Sequence, residues 1–75
     1  MKKHVQTIVT TTNGTYTSDV SKILFDEDDL ITFKEVCKQV KDFKSFALSI
    51  AGNTVLLNPT YIVAIEIKEL ESNLE

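Results

Sequence analysis

Few side chains in this 75-residue sequence are of types that do chemistry. Asp26, Glu27, Asp28 and Asp29 stand in a row, Cys37 is the one cysteine, His4 is the one histidine, and Lys34, Lys38 and Lys41 follow one another at helical spacing. Consecutive carboxylates invite a cation. A calcium loop of the EF-hand kind needs oxygen ligands at alternating positions, a glycine at the sixth and a glutamate at the twelfth. Counted from Asp26, those positions fall on Leu30, Ile31 and Cys37. The pattern fails, and the four acids are expected to hold the chain open as a solvated turn through mutual repulsion. A cysteine nucleophile needs a base or cation beside it to form the thiolate. No glycine-bounded elbow or assisting Asn or Asp motif surrounds Cys37, which falls instead on an apolar stripe and is expected to be a core thiol. One cysteine and one histidine cannot supply the four ligands of structural zinc. No metal and no cofactor is expected.

The three lysines form the one concentrated positive patch, along which a phosphate backbone or an acidic peptide could lie. Glu35 and Asp42 dilute its field, and a solvated helix face is the simpler expectation. All eight cations are lysines, so bidentate recognition of phosphate or guanine has no agent. The net charge is −3 and the isoelectric point about 5.0, whereas nucleic-acid binding usually leaves a basic surface. Electrostatics therefore run against a nucleic-acid partner. With two glycines in all, a phosphate loop or dinucleotide fingerprint can hardly be built, and no enzyme is expected.

The elements that must position these groups follow from hydrophobic rhythm. Residues 4 to 12 carry Val5, Ile8 and Val9 among threonines, a β-branched density that favours extended backbone. Asn13-Gly14 predicts a hairpin turn, with Thr12 opposite Thr15 and Thr11 opposite Tyr16. One face then holds Val5, Thr7, Val9, Thr11 and Tyr16; the other is largely threonine and expected to be solvated. Val20, Ile23 and Leu24, spaced i, i+3, i+4 behind Ser18 and Asp19, suggest a short helical turn. Thr32 with Glu35 matches a capping box and opens a helix over about 32–44. Its core stripe is Phe33, Val36, Cys37, Val40 and Phe43, with Lys34, Lys38 and Lys41 on a different side.

Near Ser45 the apolar period changes from helical to two. Phe46, Leu48 and Ile50 alternate with small residues, Gly52-Asn53 turns the chain, and Thr54 to Leu57 return before Asn58-Pro59 ends the pairing. A last strand runs from about Tyr61 to Lys68. Val63, Ile65 and Ile67 define one apolar face, while Ile62 and Ala64 make the other face apolar as well. A strand apolar on both sides needs cover on both sides. Residues 69 to 75 are expected to fray, and Leu74 and Glu75 read as remnants of a cloning site.

These elements specify a single α+β domain over residues 1–73: an antiparallel, strongly bent sheet of four or five strands with one main helix. A strand, Asn-Gly turn, strand, late hairpin, proline break and final strand together resemble small bent-sheet barrels of the SH3 or Sm type. That resemblance implies binding of peptides, RNA or further copies. It covers residues 4 to 18 and 46 to 68, from which the helix departs, and no Sm RNA-binding signature carries site residues across.

A chain this short buries only about 60% of its unfolded surface and has no disulfide to staple it. No apolar run is long enough to span a bilayer and no leader is evident. A cytoplasmic protein without membrane contact is expected. The leading expectation is a small non-enzymatic interaction domain whose partner is a protein, including itself, with Ile62, Ala64, Lys34, Lys38 and Lys41 as interaction residues. The alternative is a single-stranded nucleic-acid binder or small regulatory protein using the lysine face and nearby aromatics.

Overall fold

The β-branched N-terminal segment forms the central strand of the molecule. In the computed structural model, which describes residues 2–71, strand β1 (Lys3–Thr11) pairs antiparallel with β2 (Gly14–Thr17) on one edge and β5 (Ile62–Glu71) on the other. Strands β3 (Phe46–Ile50) and β4 (Asn53–Leu57) form a separate hairpin. Helix α1 (Glu27–Lys38) lies between β2 and β3 in the chain. The described residues thus form a small α+β fold with five antiparallel strands in two sheets rather than one. No ladder joins the sheets among these residues, so pairing does not close the barrel that the SH3 or Sm resemblance implies. No helix of the described residues is long and apolar enough to cross a membrane. The reading of Leu74 and Glu75 lies outside the described residues.

Alternation along β1 buries Val5, Thr7, Val9 and Thr11, the expected face. The hairpin register differs: Thr11 pairs with Gly14 and Val9 with Tyr16, so Thr12 and Asn13 make the turn. Thr11 Oγ1 accepts the Asn13 N–H at 3.1 Å and donates to the Gly14 carbonyl at 2.9 Å, closing this tighter loop. Each partner moves by two positions, which preserves the two-residue alternation. The inward face therefore survives the change of register.

Residues 18 to 25 form no helical turn; they run as a strap along β1. Ser18 N–H donates to the Thr7 carbonyl while Ser18 Oγ accepts the Thr7 N–H. Ser21 repeats the device on Val5. In each case a serine hydroxyl takes the place that a strand carbonyl would fill. The freed carbonyls accept from side chains of β1, Ser18 from Gln6 Nε2 at 3.0 Å and Ser21 from His4 Nδ1 at 2.8 Å. Phe25 then exchanges two backbone hydrogen bonds with Lys3.

The helix begins earlier than Thr32 and ends earlier than Lys44. Asp26 is its N-cap, accepting the Asp29 N–H at 2.8 Å while the Asp29 carboxylate accepts the Asp26 N–H at 3.2 Å. The acidic run is therefore the cap and first turn, where carboxylates meet the positive end of the helix dipole. Repulsion among them is outweighed by these amide contacts. The longer N-terminal end brings Leu30 into the core at 6% exposure, and the buried line becomes Leu30, Cys37 and Val40, with Phe33 partly buried and Val36 42% exposed. A 3-10 turn, Val40–Asp42, replaces the last expected helical turn.

Phe46, Leu48 and Leu57 enter the core beside Val9, Val40 and Ile62. The β3–β4 turn falls on Ala51-Gly52, one residue ahead of expectation, with both φ angles positive at 53° and 79°. That pair of left-handed residues matches the right-handed twist of the flanking strands. Asp19, from the strap, holds the turn: its carboxylate accepts from Ala51 N and Gly52 N at 2.9 Å each, and from Ser49 Oγ at 3.3 Å. The Gly52 and then the Ala51 amide hold this carboxyl below its ordinary value of 3.8. The Asp29 amide does the same for Asp26. Lys34, then Lys3, lowers Glu69 from 4.5. A depressed folded pKa means that the unfolded chain binds more protons as acid is added. The stabilising contribution is therefore full above the ordinary carboxylate values and is lost as pH falls through the lower folded ones. Urea midpoints of the native protein are expected to hold down to about pH 5 and to decline below that; Asp19→Asn is expected to flatten part of the decline.

The last strand carries the most consequential departure from alternation. Thr11 pairs with Ile62 and Thr10 with Ala64, so Val63 is an extra residue opposite β1. This bulge turns Ile62 onto the helix-facing side with Ile65 and Ile67, leaving Ile62 4% exposed and expelling Val63 to 67%. A strand read as apolar on both faces is apolar on one, with its phase reset by the bulge. The strand also continues past the expected end: Glu69, Leu70 and Glu71 pair with Val5, His4 and Lys3. Glu69 is held there by Lys3 and Lys34.

Candidate functional site

An open groove of about 440 Å³ separates α1 and the following 3-10 turn from β5. All five residues singled out from sequence, Lys34, Lys38, Lys41, Ile62 and Ala64, line it, together with Cys37, Val63, Ile65 and Ile67. A nearly continuous run of β5 borders it because β5 is the outermost strand of its sheet. The helix thus stands beside a strand edge that no other strand of the described residues pairs.

The lysines are already engaged. Lys34 Nζ lies 2.9 Å from Glu69 Oε2, and Lys38 Nζ 3.2 Å from Glu35 Oε2 on the same helix. Lys41 Nζ donates to the carbonyls of Pro59 at 2.8 Å, Thr60 at 3.3 Å and Ile62 at 2.7 Å. Lys41 is consequently a clip between two 3-10 turns, its own and Pro59–Tyr61. Asn58 prepares the second turn by accepting the Thr60 N–H through its side chain, and Lys41 donates to the carbonyls of Pro59 and Thr60 within that turn. Lys41→Met is expected to cost about 1–2 kcal/mol in urea denaturation, since a charged donor is lost from partly exposed carbonyls that water can reach.

Ile62 supports the groove from within the core, whereas Ala64 and Val63 are exposed on the strand. The exposure of Val63 and the pairing of Lys34 with Glu69 escaped the sequence reading. Four consecutive apolar residues, Ile62 to Ile65, in a strand of period two were the available sign of a bulge. Cys37 is 8% exposed, and burial raises its thiol above the ordinary value of 9.0. His4 occupies its Nδ1 on the Ser21 carbonyl. Among the described residues no three of His, Cys, Asp and Glu gather as metal ligands.

A second, more apolar groove of about 380 Å³ lies between the strap and α1, lined by Ile23, Leu24, Phe25, Phe33 and Val36. Phe25 and Phe33 form a tilted pair in its lining, with ring centroids 5.7 Å apart. Comparison with protein-family models, with curated proteins and with solved structures gives no match to this chain.

Proposed function

We propose that the protein is a small, non-enzymatic, cytoplasmic interaction domain that associates with further copies of itself. The observation that carries this reading is the ten-residue strand β5, paired on one side only among the described residues and bordered by an open groove. An unpaired strand edge offers a row of backbone donors and acceptors, and adding a strand is the direct way to satisfy them. The shape is consistent: the radius of gyration is 12.6 Å, against about 11 Å for a compact chain of this length. A second copy would extend a core in which, among the described residues, only Val9 is fully buried. Engagement of Lys34, Lys38 and Lys41 by carboxylates and carbonyls weighs against the alternative nucleic-acid role. Light scattering on a chromatographed sample tests the proposal. A mass that rises from one chain toward two across the micromolar range is expected; a monomer at high micromolar concentration would refute it.

A further inference from the structure

Building on the self-association reading, we infer that β5 pairs antiparallel with β5 of a second copy about a two-fold axis at Ile67, fusing two three-stranded sheets into one of six strands.

The order of residues along the strand selects both the occupant and the register. Ile65, Ile67 and Glu69 pair with the inward residues Val9, Thr7 and Val5 of β1, so Ala64, Glu66, Lys68 and Leu70 occupy the opposite face of β5. Centred on Ile67, an antiparallel copy sets Glu66 against Lys68 and Ala64 against Leu70, each twice by symmetry. On that face two opposite-charge pairs and two apolar pairs result, at the cross-strand spacing where such pairs interact, while on the inward face Ile67 meets its own copy and Ile65 lies against Glu69. Centring on Glu66 or on Lys68 stacks each of those charges on its own copy. Centring on Ile65 sets Lys68 against Ile62 and leaves both charges unpaired. Charge complementarity therefore favours the Ile67 register and a second copy of this chain.

Glu66 and Lys68 are exposed and form no ion pair among the described residues. Their neighbours on β1 are Ile8 and Gln6, neither charged. Charges on an edge strand ordinarily discourage pairing, and any order of charges serves that end. A mirrored order, acid before base and apolar outside both, is what a two-fold pairing requires. Lys41 holds the Ile62 carbonyl, which closes the strand before Val63 and leaves the stretch around Ile67 open.

Charge exchange tests the inference. Glu66→Lys and Lys68→Glu, each alone, set like charges opposite one another at both symmetric positions, and self-association should weaken roughly tenfold or more. An equimolar mixture of the two variants restores complementarity and should recover dimers, measured by light scattering and by native mass spectrometry, which resolves the mixed species. Circular dichroism of each variant at low concentration checks the fold, and the mixture itself shows that both chains are competent. Native dimers that persist in both single variants overturn this interface while leaving self-association standing. A native protein that stays monomeric overturns both.

Discussion

Ile62→Ala is expected to remove about 2–5 kcal/mol of stability, while Val63→Ala, one residue away, changes it by less than about 0.5 kcal/mol. The contrast follows from the bulge. Ile62 packs in the core with Val9, Val40 and Leu57 at 4% exposure, whereas Val63 is 67% exposed. Truncating Ile62 loses the transfer free energy of its side chain and leaves a cavity that neighbouring strands can only partly close. For a domain whose total stability is on the order of 4–11 kcal/mol at this length, such a loss brings the chain close to unfolding at room temperature. Strict alternation along β5 gives the reverse order, since it groups Val63 with Ile65 and Ile67. Urea titrations of both variants at submicromolar concentration, below the range of the proposed association, distinguish the two.

The second large effect is expected at the strap. Ser18→Ala with Ser21→Ala should cost roughly 2–4 kcal/mol together, because each hydroxyl accepts a backbone N–H that otherwise has no partner. Those amides belong to Thr7 and Val5, both buried on the central strand. Loss of the hydroxyls leaves the serine amides donating to β1 but removes the reciprocal bond, and the strap loosens. Limited proteolysis should then cut within residues 18 to 25 faster than in the native protein. Ser45→Ala, at an exposed loop serine, is the control and should stay within about 0.5 kcal/mol.

The sequence made the elements legible where one physical signal dominated. Val5, Thr7, Val9 and Thr11 were recognisable as one face because alternation in β1 is uninterrupted, and Phe46 and Leu48 for the same reason. Boundaries failed where two signals competed. Thr32 and Glu35 form a plausible capping box, but Asp26 and Asp29 form one six residues earlier, and Leu30 rewards the extra turn with burial. In the strap, the helical spacing of Val20, Ile23 and Leu24 concealed two serines whose side chains substitute for backbone carbonyls, a pairing no local propensity encodes. The groove was half legible. The spacing of Lys34, Lys38 and Lys41 and the apolar run at Ile62 and Ala64 do converge on it, yet nothing local reveals that Lys34 reaches Glu69 or that Lys41 reaches the carbonyls of Pro59 and Ile62. The bulge at Val63 places Ile62 in the core rather than on a second apolar face, so the feature of β5 open to a second copy is its edge.

That edge is the claim on which the functional account rests, and amide hydrogen exchange along β5 measured at two protein concentrations tests it most directly. Association through β5 predicts that alternate amides between Val63 and Glu71, those pointing away from β1, gain protection as concentration rises, while the amides of β2 on the opposite edge do not change. Exchange along β5 that is independent of concentration, in a sample shown to contain dimers, would contradict it.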